Sequence, residues 1–335
     1  MILVTGATGL VGSHLILKLL EHNESVSAIY RSNASIQKTK SVFLFYNKLD
    51  LFDKINWIEA DILNVPSLEI AFRNIEYVYH CAAVISFDPS EETLLRKTNI
   101  EGTANIVNFS LQYHVKKLCH VSSIAALGDP KPHELLVTEE TEWNPEKLHS
   151  DYAISKYGAE MEIWRGQQEG LNVVIVNPGV ILGPGANTAD WKSGSPELFS
   201  RVANGLPFYT KGTTGFTTVI DVVNIMIWLM KSEIHGERFV VVSENRSFEQ
   251  ILKNVAKALH VKPPSIAAKP WLTSIAWRID WLGALFGRER TLSRIMAQSL
   301  HHTEKFSNDS IKRVMKYKFE TIDAYIVQIA AQYPK

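Results

Sequence analysis

Three glycines at three-residue spacing, Gly6, Gly9 and Gly12, separate an apolar run from a helical one at the start of the chain. Met1-Ile2-Leu3-Val4-Thr5 reads as a buried strand, and Leu15, Ile16, Leu19 and Leu20 then recur at helical spacing. A plain turn needs one glycine. Three in this order let the chain turn tightly at Gly6, bring backbone close to a pyrophosphate at Gly9 and seat the helix against the strand at Gly12. The helix N-terminus, beginning near Leu10 and Val11, then offers its free N–H groups to the anion.

Strand-like runs alternate with helical ones along the rest of the chain. The strands are Val26–Tyr30, Trp57–Ala60, Tyr77–Ala82, Lys117–Val121, Val173–Val176 and Phe239–Val242; the helices include Val11–His22, Leu68–Asn74, Glu91–His114 and Tyr152–Gln168. This alternation predicts an α/β fold, a Rossmann-type doubly wound parallel sheet with helices on both faces. Residues 1–177, with a returning strand near 237–243, are expected to form the dinucleotide-binding domain, and residues 178–335 mainly a smaller C-terminal α/β lobe. Pro and Gly cluster between residues 178 and 215, which suggests loops over a site.

With 46% apolar residues over 335, the chain can bury a sizeable core. A formal net charge of zero argues against general nucleic-acid binding, and the eleven histidines are too scattered for a metal site. Cys81 and Cys119 sit in apolar runs and read as reduced thiols of a cytoplasmic protein. A first strand at Leu3 and Val4 leaves no room for a signal peptide, so the mature protein is expected to begin at or near Met1. No run of about 18 uninterrupted apolar residues would span a membrane.

Tyr152 and Lys156 stand four apart, on one face of a helix. A cation near a phenol favours phenolate, and free Tyr titrates at about 10, so such a pair suits proton exchange with an alcohol or carbonyl. Many surface helices carry this pair by chance; the glycine turn is what gives it meaning.

Together the two motifs resemble the extended short-chain dehydrogenase/reductase family, and four more segments match. Tyr77–Ala83 resembles the strand-end cofactor segment, Thr98–Thr103 the helix beneath the active site, Val121–Gly128 the catalytic serine segment and Asn177–Gly185 the loop at the nicotinamide. The resemblance implies substrate binding by the lobe at 178–335, with Ser123 as hydrogen-bond donor to the substrate oxygen and Tyr152 as the acid or base. It implies Lys156 on the nicotinamide ribose, and Asn99 as a helix brace or the holder of a relay water; an Asn with purely structural bonds is an equal reading. Gly6, Thr8, Gly9, Leu10, Val11, Gly12, Asp61, Ile62, Cys81, Ala82, Ala83, Val121, Ser122, Pro178, Gly179 and Val180 would line the cofactor, Ser122 through its backbone. Asp61 is also a plausible helix-entry cap.

An NAD enzyme usually places an acid at the end of the second strand, whereas NADP needs a cation there. Here the strand ends in Tyr30-Arg31-Ser32, with Lys38 seven residues on. That spacing is similar to the phosphate clamp of dihydroflavonol reductase-like members, and Tyr-Ala-Ile-Ser-Lys at 152–156 points to the same branch, which also holds 3β-hydroxysteroid dehydrogenase-like enzymes. The expected cofactor is NADP, with NAD the alternative. Nucleotide-sugar members usually carry an Arg to grip a diphosphate, but Thr213–Asp221 has none, and the acidic pair of dehydratases is replaced by Ile124-Ala125-Ala126. The resemblance therefore favours an oxidoreductase acting on the carbonyl or secondary alcohol of a mainly apolar small molecule. A nucleotide-sugar epimerase or dehydratase is the alternative, and a non-catalytic cofactor sensor a more distant one, disfavoured because Ser123, Tyr152 and Lys156 are all present.

In Trp271–Phe286, Leu272, Ile275, Ile279, Leu282 and Phe286 form a stripe expected to face the core. Trp277 and Trp281 fall elsewhere and are available to a substrate, a subunit or a membrane interface. Residues 288–318 hold eight Lys or Arg against three Asp or Glu, so a weak peripheral membrane contact through 271–318 stands beside simple lobe packing. A homodimer through the helices at 91–114 and 152–168 is the contact that relatives suggest.

Overall fold

The computed structural model describes residues 1–131, 133–186, 190–192, 194–284 and 293–334. In chain order the strands are β1 (Ile2–Thr5), β2 (Val26–Tyr30), β3 (Asn56–Glu59), β4 (Tyr77–His80), β5 (Lys117–Val121), β6 (Val173–Pro178), β7 (Val180–Leu182), β8 (Phe208–Tyr209), β9 (Thr213–Thr218), β10 (Glu237–Val241), β11 (Glu244–Ser247) and β12 (Ile266–Ala267). The helices are α1 (Leu10–Glu21), α2 (Asn33–Phe45), α3 (Leu49–Phe52), α4 (Val65–Ala71), α5 (Glu92–Leu95), α6 (Gly102–Gln112) and α7 (Asp151–Gln168). They continue with α8 (Glu197–Ala203), α9 (Val219–Lys231), α10 (Phe248–Ala258), α11 (Pro270–Ala284), α12 (Arg294–Ser299), α13 (Asp309–Met315) and α14 (Ile322–Ala330).

Seven parallel strands form the main sheet in the order β10-β6-β5-β4-β1-β2-β3. Side chains alternate strictly between its faces. Ile2, Val4, Ala28, Cys119 and Val174 pack with α1 and α9, while Leu3, Ile29, Val78, Leu118 and Val173 pack with α4, α6 and α7. This is the doubly wound architecture. Strand order reverses between β1 and β4, so a crevice opens at their carboxyl ends, where ligands of such sheets bind. The remaining strands form a three-stranded sheet, β11-β9-β7, and the pair β12-β8.

Lys117 begins β5 and is nearly buried, yet its ammonium donates to the Leu229 and Ser232 carbonyls at 2.6 and 2.7 Å. A cation at the C-terminus of α9 meets the negative end of that helix and ties it to the sheet.

Two sequence expectations are corrected here. The single helix expected over 91–114 is broken: α5 leads into a π-helical turn, Arg96–Glu101, before α6 resumes. Hydrophobic spacing does not report such an extra residue per turn, although π turns concentrate at functional sites. In α11 the apolar stripe does not face a core. Ile275, Ile279 and Leu282 are exposed, and the inner side is made by Thr273, bonded to His301 at 2.8 Å, and by Trp277. Periodicity shows that a helix has an apolar side, not what covers it. Phe286 lies outside the described residues.

No helix among the described residues is long and apolar enough to cross a membrane.

Candidate active site

The crevice is shaped by the glycine turn. Gly6 adopts φ 64°, where a side chain is strained, and a Cβ there would strike the Cys81–Ala82 backbone that closes the neighbouring strand. A Cβ at Gly12 would strike the Gly6 carbonyl. Gly9 donates to that carbonyl at 3.0 Å and starts α1 without any side-chain cap, which leaves the N–H groups of the first turn, Leu10 to Gly12, without intrahelical acceptors. Thr8 is half-buried within the turn. A dinucleotide pyrophosphate fits this cradle: close approach is permitted and unpaired donors face it.

Arg31 follows β2 directly and Lys38 lies on α2, both exposed. Asp61 is not the cap of the next helix. Asn64 caps α4, accepting from Ser67 N at 3.0 Å, while the Asp61 carboxylate accepts from Leu63 N at 2.9 Å and so stiffens the loop after β3. Ile62 is buried, and its side chain occupies the space beside Gly102. Ala82 is half-buried and Ala83 exposed at the end of β4.

A buried hydrogen-bond chain holds that strand end. The Thr103 hydroxyl donates its one proton to the Asn99 carbonyl at 2.6 Å, so His80 Nε2, 2.9 Å away, must donate to Thr103. A neutral His80 then accepts at Nδ1 from the Thr5 hydroxyl at 2.7 Å, and Thr5 accepts from Ala82 N at 3.1 Å. Burial lowers the His80 pKa to about 3, with the Lys156 charge acting the same way, which keeps the ring neutral. The lining of the crevice is thus fixed to β1 and to the helix beneath it.

Ser123 lies two residues after β5 and caps a short 3₁₀ turn, accepting from Ala125 N at 3.1 Å. Tyr152 sits in the first turn of α7, which Ser150 caps by accepting from Ala153 N. The Ser123 side chain lies close enough to the phenol to act on its ionisation. Lys156, 2% exposed, donates to the Val121 carbonyl at 2.8 Å. The structure therefore gathers Ser123, Tyr152 and Lys156 at the carboxyl end of β5. Burial raises the Tyr152 pKa and the Ser123 side chain opposes it. This departs from the sequence expectation of a phenol already lowered by Lys156, because that ammonium is drawn to the strand end instead. Burial lowers the Lys156 pKa to about 8, against the pull of Glu160 and Cys81, while burial pushes the Cys81 thiol up to about 12.

Asn99 is a brace. Its oxygen accepts from Val84 N at 2.8 Å, and its amide donates to the Val84 carbonyl and to Ser155 Oγ, both at 2.9 Å. Every polar atom of the side chain is thereby committed to joining the loop after β4 to α7. Ser122 spends its N–H on Val176 O at 2.8 Å, so that donor belongs to the sheet; its hydroxyl is buried without a protein partner. Pro178 is buried, Gly179 N donates to Val241 O at 3.2 Å, and Val180 is exposed.

Sequence reading missed a second layer. Asn177 donates to the Ser123 carbonyl at 2.9 Å and to Glu160 at 2.5 Å, and the fully buried Glu160 meets Arg238 of β10 at 3.1 Å. Glu160 lies four residues after Lys156, so the helical spacing that singled out Tyr152 and Lys156 also pointed to it.

Beside Tyr152 the Phe87 ring lies 5.7 Å away, and a cavity of about 200 Å³ is lined by Phe87, Leu148, Asp151, Arg294 and Ile295. Trp143 stacks on His149 and Tyr157, whereas Trp191, Phe216 and His80 are buried within the fold.

The chain is similar to known proteins in both sequence and fold. The family model of the NAD dependent epimerase/dehydratase family matches residues 2–242. A protein of Synechocystis sp., provisionally named a dihydroflavonol 4-reductase, is 27% identical over 312 residues, covering 89% of this chain and 85% of its own. A UDP-glucose 4-epimerase of Vibrio cholerae is 24% identical over 319 residues, covering 91% and 88%. The crystal structure of gox2253 superposes with a TM-score of 0.80 at 25% identity, covering 99% and 97%. The chain therefore belongs to the NAD dependent epimerase/dehydratase family and is an NAD(P)-dependent enzyme of the short-chain dehydrogenase/reductase type.

Proposed function

We propose that the protein is an NADP-dependent oxidoreductase acting on the carbonyl or secondary alcohol of a mainly apolar small molecule. The observation that carries this reading is the half-buried Tyr152 phenol, set with Ser123 and with Lys156 four residues on, beside a cavity whose walls include Phe87, Leu148 and Ile295. The bound nicotinamide supplies or takes the hydride. Ser123 holds the substrate oxygen by a hydrogen bond. Tyr152 gives that oxygen a proton, and burial, which keeps the phenol protonated, suits the reducing direction. Lys156 places a positive charge under the site, and Asn99 keeps α7 in register with the loop it serves. The absence of Arg from Thr213–Asp221 speaks against a diphosphate-bearing substrate.

The test is oxidation of NADPH and of NADH over ketones, aldehydes and nucleotide sugars. NADPH turnover with an apolar carbonyl supports the reading; turnover of a nucleotide sugar alone moves it to the epimerases and dehydratases.

NADP preference rests on Arg31 and Lys38, with no acid at the end of β2. A hydrogen bond to a charged group contributes about 1.5–3 kcal/mol, so Arg31→Ala should weaken NADPH binding by roughly 10- to 100-fold and leave NADH nearly unchanged. Equal losses for both cofactors would detach Arg31 from the 2′-phosphate.

The Lys156 charge sets an alkaline limit. Its pKa lies lowered at about 8, so the ammonium is present below that pH and lost as pH rises through it. The profile of kcat/KM reports the free enzyme and should fall above about 8. A profile still level where free lysine titrates, at about 10.4, would remove the role given to this charge.

A further inference from the structure

The outer face of α11 has no protein covering among the described residues. Trp271 is 59% exposed, Ile279 63%, and Ile275, Trp281 and Leu282 nearly half. At 100° per residue, Trp271, Leu282, Ile275 and Ile279 fall within a sector of about 80°, along a helix about 22 Å long. Phe208 and Ile266, register partners on β8 and β12, are also nearly half exposed, and β12 ends three residues before α11 begins. The inner face is the more polar one, with Thr273 on His301 and Trp277 in a second cavity, of about 260 Å³, with Arg294 and Gln298. An amphipathic helix that turns its apolar side outward in a folded domain is built for a partner.

Charge selects the partner. Between residues 262 and 284 the ionisable side chains are Lys262, Lys269, Arg278 and Asp280. Lys262 and Lys269 are exposed on the approach to the helix, and exposed Arg278, stacked on Trp277 at 4.7 Å, borders the apolar sector. Asp280 falls on the opposite side of the helix, about 140° from the centre of that sector. A second copy on this face would set these cations against each other, whereas an anionic headgroup layer neutralises them while the apolar residues enter the acyl boundary.

We propose that α11 is a membrane-docking element that lays Trp271, Ile275, Ile279 and Leu282 on an anionic bilayer surface. This places the anchor on the apolar stripe and not on Trp277, which belongs to the cavity behind it. The contact is independent of which carbonyl the enzyme reduces.

Co-sedimentation of the full chain with vesicles tests it. Wild type should bind phosphatidylcholine vesicles containing phosphatidylserine at low salt, less with added salt, and less to phosphatidylcholine alone. The double variant Ile275→Asp/Ile279→Asp should lose at least about tenfold in partitioning, since two apolar side chains no longer leave water. The variant Lys269→Glu/Arg278→Glu should lose the preference for phosphatidylserine. All four positions are solvent-facing, and unchanged circular dichroism and melting would show that the variants fold. Absence of wild-type binding at low salt, or binding indifferent to the aspartates, overturns the proposal. So does a wild-type dimer in analytical ultracentrifugation that the aspartates convert to monomer, which would make this face a contact between copies.

Discussion

Tyr152→Phe should lower kcat/KM for carbonyl reduction by about 10²–10⁴-fold while NADPH binding, followed by fluorescence, stays near wild type. The loss corresponds to about 3–5 kcal/mol of transition-state stabilisation. In the proposed reaction the phenol is the proton source, and phenylalanine keeps the ring that packs beside Phe87 while deleting that proton. Ser123→Ala should lose less, because it removes a hydrogen bond and leaves the acid in place. Turnover near wild type in the Phe variant would take the chemistry away from Tyr152, and turnover lost together with cofactor binding would mean that the hydroxyl serves to hold the cofactor and not to supply the proton.

Glu160→Ala should destabilise the fold by about 3–5 kcal/mol, read from urea denaturation, the range found when one partner of a buried ion pair is removed. Glu160 is fully buried between Arg238 and Asn177, so alanine leaves the guanidinium, which also donates to the Glu139 carbonyl, without its counter-charge and frees the amide that holds the Ser123 carbonyl. Glu160 also helps keep Lys156 charged, so the alkaline limb of the pH profile should move to lower pH in this variant. Replacing both partners, Glu160→Leu with Arg238→Met, should recover much of the stability, since apolar packing often matches a buried pair. The pH shift should persist in the double variant because the anion is still missing. A single variant as stable as wild type would mean that water reaches the pair.

What the sequence made legible were features dictated by backbone geometry. Gly6 and Gly12 are demanded by collisions that any Cβ would cause, so their spacing carries the fold by itself. The alternation of strands and helices was equally plain, because residues 2 to 4 and 173 to 176 are buried on both faces of the sheet. Ser123, Tyr152 and Lys156 were visible as a motif, but their protonation was not. Only the fold shows that Lys156 reaches for Val121 O while burial holds the Tyr152 proton. Asn99 admitted several roles until the two bonds to Val84 and the one to Ser155 were in view. The Asn177–Glu160–Arg238 layer joins residues 17 and 78 positions apart, beyond the reach of local spacing. The side of α11 that faces water depended on its neighbours, about which periodicity is silent.

The position of Arg238 bears on how the chain comes into being. It lies on β10, the edge strand beside β6, which returns to the sheet only after β7, β8 and β9 have been made. A nascent chain that has emerged only as far as β6 holds every residue of the glycine turn and of the Ser-Tyr-Lys set, yet lacks the cation for Glu160. Closing a 78-residue loop is needed before that carboxylate can leave water. The ion pair beneath the site is therefore completed only when β10 joins the sheet, after the residues it supports are already in place along the chain.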